Sequence, residues 1–185
     1  MQPIVPPTYS DRQVSDWIGD NPSAELLDEL SDFGDLMIEE VTGTTNALDA
    51  KATAALGWAG VPLGFLLVGS PEWIRTNSWI VVGLALLTTL LSLATVVSAG
   101  LALRTRNWRV ASQADWFEAK LFAEPDRLKA YHVISRLSAH RDAVTHNAEK
   151  SLWLVRAEGL LSAALLLMGG MAITQTILLF LRTLV

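Results

Sequence analysis

The chain has 185 residues, 51% of them hydrophobic and 18% charged, with a net charge of −5 and a mean hydropathy of +0.34. That is richer in apolar residues than a water-soluble domain needs and too charged for a protein lying wholly in lipid, so a membrane protein with aqueous helices fits best. No cysteine is present, which excludes disulfides and thiolate-held metals. The charge is also divided: residues 1–50 hold eleven acids and one arginine, whereas residues 104–158 hold ten bases against seven acids.

Met1-Gln-Pro-Ile-Val-Pro-Pro has no basic flank and no early apolar run, so it does not read as a secretory signal. Residues 1–22 are expected to be a flexible segment, proline-rich up to residue 9, with a short helix between Ser10, whose capping-box partner is Gln13, and Gly19. Asn21-Pro22-Ser23 then opens an acidic amphipathic helix over residues 23–51, with Pro22 suited to a first helical turn. Its seam is Leu26, Leu30, Phe33, Met37, Val41, Thr44 and Leu48 at intervals of threes and fours.

Residues 52–103 read as a transmembrane hairpin with spans at about 52–71 and 78–103 and an exterior turn from Ser70 to Asn77. A helix of about twenty apolar residues crosses a bilayer core roughly 30 Å thick. In the first span Gly57, Gly60 and Gly64 share one face and let another helix approach, and Pro62 is a candidate kink. Trp58, Trp73 and Trp79 include interfacial anchors. The second span lies in Thr76–Leu103, which lacks any charge and ends in Arg104-Thr-Arg106. Ala85, Thr88, Ser92, Thr95 and Ala99 lie on one of its stripes. Two readings stand there: helix packing with hydroxyls bonded to their own carbonyls, which is favoured, or the wall of a pore.

Residues 104–158 are expected to form a cytoplasmic stalk of two helical pieces. One runs from Trp108 to Phe122 and breaks at Glu124-Pro125. The other has a seam of Leu128, Tyr131, Ile134, Leu137, Arg141, Val144, Ala148, Leu152 and Val155 that pairs with the seam of residues 23–48. It continues into a third span, 159–181, with a small stripe of Ser162, Gly169 and Thr176. Arginines place the 104–158 segment inside, so the amino terminus is cytoplasmic and the carboxyl terminus exterior; Arg182 argues mildly against this. The fold class is thus an all-α integral membrane protein with three transmembrane helices and long cytoplasmic helical extensions.

No phosphate loop, zinc-helix motif, nucleophile elbow or paired carboxylates appear, so no enzyme is expected. His132, His140 and His146 are eight and six residues apart, the wrong spacing for metal ligands on a helix, and read as solvated histidines. Asp49, Lys51, Asn147 and Lys150 meet the bilayer boundary at one depth if both helices enter lipid side by side. Snorkelling charges at headgroups are the ordinary explanation, and a small anion site holding a phosphate is the functional one.

Asp49-Ala-Lys51-Ala-Thr-Ala-Ala-Leu56, before a glycine-bearing span, and Ala143-Val-Thr-His-Asn147-Ala-Glu-Lys150-Ser-Leu-Trp-Leu154, before the last one, resemble the membrane effectors of Pycsar antiphage systems and related SLATT-type domains. The likeness covers roughly residues 44–180 and leaves the acidic helix outside, as an extension. It implies an inner-membrane protein of abortive infection, triggered by a cyclic pyrimidine mononucleotide (cUMP or cCMP) from a partner cyclase to impair the membrane. The bilayer and other copies of the chain, in a homo-oligomer, are the expected partners, and nucleic acid is not. A non-enzymatic scaffold or regulatory subunit and a constitutive holin-like pore remain the rival readings.

Overall fold

The computed structural model describes residues 12–13, 16, 23–75, 79–104 and 125–183, and all secondary structure among them is α-helical. Helix α1 is Ala24–Arg75, α2 is Trp79–Leu103 and α3 is Pro125–Thr183. Arg12, Gln13 and Asp16 are helical. The other residues of the flexible segment and the whole Trp108–Phe122 piece lie outside the described residues.

Pro22 lies outside the described residues, and Ser23 caps α1. Its Oγ accepts the Leu26 amide at 3.2 Å, its carbonyl accepts the Leu27 amide at 3.1 Å, and Glu25 sits near the positive end. Helix α1 is 52 residues long and passes through Pro62, fully buried, and Pro71, so helix continues to Arg75 where a turn from Ser70 is expected. A proline removes one intrahelical bond, and a single loss need not end a helix packed on neighbours. Helix α3 starts at Pro125, where a missing N–H costs nothing.

The chain divides into two compact units, Met1–Ala47 with Thr105–Glu149 and Leu48–Arg104 with Lys150–Val185. In the first, α1 and α3 lie parallel. Lys129 meets Asp28 at 2.7 Å, and Arg136 pairs with Asp35 while also donating to the Ser31 carbonyl at 3.3 Å. Leu27 and Val133 are the buried core, flanked by Leu30, Ala130, Ile134 and Leu137. Fully burying such a side chain is worth about 1.5–3 kcal/mol, so this pair of helices rests on a thin core reinforced by charge.

Both seams follow the sequence expectation in part: Val41 and Leu48 are buried, and Leu30, Ile134 and Leu137 pack against the core. On α1 the buried positions are Leu27, Gly34, Val41 and Thr45, whereas Leu26 and Phe33 are exposed. On α3, Val133, Ala143 and Asn147 are buried and Tyr131 is exposed, as are Leu152 and Val155 in the second unit. Polar residues stand on the true seam because α1 supplies partners for them.

The second unit packs three helices, α2 antiparallel to α1 and α3. At one end Leu48 and Ala52 meet Ala102 and Leu154, in the middle Ala55 meets Ala99 and Ala157, and at the other end Leu66 meets Val81 and Met171. The interior is therefore small-waisted. The outside carries the bulk: Leu67, Val68, Ile80, Leu90 and Leu166 are among the exposed side chains. Water would oppose such a surface and lipid favours it. Among the described residues, three helices are long and apolar enough to cross a membrane.

Reversing one member of a pair tests the α1–α3 alignment. Asp35→Arg should lower the melting temperature in detergent, and adding Arg136→Asp should recover part of the loss, with a coupling of about 0.5–1 kcal/mol by circular dichroism. Strict additivity of the two changes would show that the side chains do not meet.

Candidate functional site

In the first unit the α1–α3 seam becomes polar toward its end. Asn147, 1% exposed, donates from Nδ2 to the Val41 carbonyl at 3.3 Å. The buried Thr45 hydroxyl lies 2.9 Å from that same carbonyl and 3.0 Å from Asn147 Oδ1, its one hydrogen shared between them. A buried asparagine satisfied in this way fixes register between helices at some cost in stability.

Beside this network lies a cavity of about 220 Å³ lined by Glu40, Val41, Thr44, His140, Val144 and Asn147. The Thr44 hydroxyl donates to the Glu40 carbonyl at 3.1 Å, and His140 Nδ1 is buried without a hydrogen-bond partner. Burial pushes the His140 pKa below 6.5, opposed by the Glu40 charge. At His132, burial and then the Arg136 charge lower the pKa, against Asp35. His132, His140 and His146 are half-buried rather than solvated, because each lies at or one residue before an α3 position that faces α1. Among the described residues no three His, Asp or Glu side chains gather as a metal site would require.

Of the four expected anion-site residues, the structure brings Asp49 and Lys150 together. In the second unit Lys150, with only 14% of its side chain exposed, holds Asp49 at 2.7 Å. Its charge is thereby met, and a phosphate would compete with that carboxylate. Lys51 is exposed, and Asn147 belongs to the network of the first unit. Arg156 instead covers the Trp153 ring at 4.7 Å, a cation–π contact. Of the cavity residues, Glu40 was not singled out by sequence, Thr44 only as a seam position and His140 only as a solvated histidine. The available signal was the run Arg136, His140, Asn147 and Lys150, spaced by fours, sevens and threes on one face.

The small residues also separate. Thr88, Ser92 and Thr95 are all fully buried inside the second unit, where Thr88 donates to the Leu84 carbonyl at 2.8 Å and Thr95 to that of Leu91 at 2.9 Å. Ser92 Oγ has no partner. Gly57, Gly60 and Gly64 are exposed, and a side chain at any of them would meet nothing within 4 Å. Ser162, Gly169 and Thr176 likewise face outward, and the packing stripe on α3 is Ala157, Ala164 and Met171.

A family model for the Pycsar effector protein domain matches residues 35–183, well over half of the chain. The chain belongs to the Pycsar effector family. Membership extends further toward the amino terminus than the motif resemblance does: Asp35, the partner of Arg136, opens the matched region, so the later half of the acidic helix is part of the domain and not an extension. The Pycsar effectors of this kind are membrane effectors rather than a known enzyme family, tied to antiphage defence and to the product of a nucleotide cyclase. No curated protein and no solved structure matches the chain.

Two measurements check the geometry. Because His132 and His140 titrate below 6.5 when folded, the unfolded chain takes up their protons first on acidification. Their contribution is complete above about pH 6.5 and is lost as the pH falls through their lower folded values. The melting temperature should be flat from pH 8 to 7 and fall toward pH 5, with His132→Gln/His140→Gln flattening the decline. Ser92→Ala removes a buried hydroxyl without a partner and should stabilise the detergent-solubilised protein by about 1 kcal/mol. Destabilisation would mean that the hydroxyl is engaged.

Proposed function

We propose that this Pycsar effector is a multi-pass protein of the bacterial inner membrane, with its amino terminus and stalk cytoplasmic, which a cyclic pyrimidine nucleotide triggers to impair the membrane and abort phage infection. The family match over residues 35–183 carries this reading. The apolar exterior and small-residue interior of the second unit support it, since that inversion suits lipid.

Triggering requires that the nucleotide bind one arrangement of the helices better than another. Helices α1 and α3 are suited to respond. Each is unbroken, and in each the first half carries the charged seam and the second half the apolar segment. Sliding of packed helices is an established switching motion. Assembly of several copies fits the exposed Gly57, Gly60 and Gly64 face, where two helices can approach closely.

Purified protein in liposomes of bacterial lipid should release a trapped dye on addition of cUMP or cCMP and not before. Release without nucleotide would favour a holin-like pore, and none under any nucleotide a scaffold or regulatory subunit. Gly60→Leu leaves the single chain undisturbed, so it should abolish both crosslinked oligomers and release. Undiminished release would remove this face from the assembly.

A further inference from the structure

We infer that one end of the second unit, where α1 and α3 begin their apolar stretches and α2 finishes its own, binds the headgroup of an anionic phospholipid through Lys51, Arg104 and Arg156. This does not depend on the nucleotide trigger. The three residues come from three helices, yet they border one buried cluster, in which Leu48 and Ala52 meet Ala102 and Leu154. Lys51 precedes Ala52, while Arg104 and Arg156 stand two residues beyond Ala102 and Leu154. At about 1.5 Å per residue, each therefore lies within about 3 Å, along its own helix, of a residue of that cluster. All three are exposed.

Charge at this level is out of balance. Asp49 is taken up by Lys150 at 2.7 Å, whereas the ion pairs among the described residues leave out Lys51, Arg104 and Arg156. Glu158 is exposed two residues after Arg156, a spacing that turns the two to different sides of α3. Local geometry also orients the cations. Helix side chains lean toward the N-terminus, so Lys51 and Arg156 reach back from the apolar stretch that follows, and Arg156 settles over the Trp153 ring at 4.7 Å. The Arg104 amide donates to the Leu101 carbonyl at 3.3 Å, which keeps that cation at the negative end of α2.

What adjoins the patch separates a lipid from a soluble anion. Beyond the cations the surface is apolar: Trp58 and Val61 on α1, Val97 and Leu101 on α2, and Val155 on α3 are all exposed. A ligand that suits both parts has a negative head and hydrocarbon tails. A phosphodiester headgroup accepts from guanidinium and ammonium donors, and the acyl chains attached to it lie along the helices. A soluble anion would use the charged part alone.

The test uses full-length protein in detergent, titrated with phosphatidylglycerol and separately with phosphatidylcholine of the same acyl chains, with bound lipid counted by native mass spectrometry. Each basic residue near an anionic surface adds about a fivefold gain in affinity, so phosphatidylglycerol should be held at least about tenfold more tightly than phosphatidylcholine. Lys51→Gln, Arg104→Gln and Arg156→Gln should each weaken it several-fold, and together bring it to the phosphatidylcholine level with the helical circular dichroism of wild type. If the triple variant does not fold, the single changes decide. Lys51→Arg/Arg104→Lys/Arg156→Lys should keep the preference, since charge carries it. Equal affinity of wild type for the two lipids, or a preference that survives the triple glutamine change, overturns the site. So does displacement of phosphatidylglycerol by an equal concentration of glycerol 3-phosphate, which would mark a site for free anions instead.

Discussion

Three ion pairs between α1 and α3 join residues 101 apart in sequence: Asp28 with Lys129, Asp35 with Arg136, and Asp49 with Lys150. A constant offset is possible only for parallel helices in a fixed register, and each spacing is a multiple of seven. Burial keeps the same period. On α1 Leu27, Gly34, Val41, Leu48, Ala55 and Pro62 are buried seven apart, on α2 Val81, Thr88, Thr95 and Ala102, and on α3 Ala143, Ala157, Ala164 and Met171 fall on one such series. Where the ladder would place a fourth pair, Thr42 and Ala143 offer no charge. There the neighbouring Thr45–Asn147 contact holds the alignment instead.

The two units meet their surroundings by opposite means. In the first, a few apolar contacts are joined by exposed ion pairs, each worth no more than about 1 kcal/mol at the surface. In the second, association cannot draw on the hydrophobic effect, because lipid is as apolar as the interior, and close approach does the work. This is why alanine and hydroxyl residues occupy the inside of α2 while leucine and valine turn outward. Thr88 and Thr95 satisfy their hydroxyls within their own helix, so the packed face is polar in composition and apolar in effect.

The helix classes and the lipid-sized stretches were legible because length and lack of charge suffice for them. So was the Ala85, Thr88, Ser92, Thr95 and Ala99 stripe, since small residues stand out in a helix otherwise aliphatic all round. The charged seam was legible only in part, at Leu30, Val41, Leu48, Ile134 and Leu137. Choosing the most apolar line selected Leu26 and Phe33 on α1 and Tyr131 on α3, all exposed. The line that packs includes Arg136, His140 and Asn147, which look like surface residues until Asp35, Glu40 and Thr45 are set opposite them. Complementarity between segments a hundred residues apart is not a property of either segment. The glycines leave a related question to the structure: a small face signals close approach, but not whether the approaching helix belongs to the same chain.

A seam of this kind is also what a switch requires. An apolar core tolerates sliding with little change in energy, whereas a satisfied polar network has one good arrangement and few near neighbours. Within the first unit, moving α3 along α1 would separate Asn147 from Thr45 and the Val41 carbonyl and part Asp28 from Lys129 and Asp35 from Arg136, so positions between two satisfied registers would be disfavoured. To carry such a pair from 1:99 to 99:1 a ligand must favour one register by roughly 5.5 kcal/mol. A few exposed ion pairs and one buried asparagine contact are of that order. On the nucleotide trigger proposed above, such interactions would hold a resting state that one small molecule could overcome.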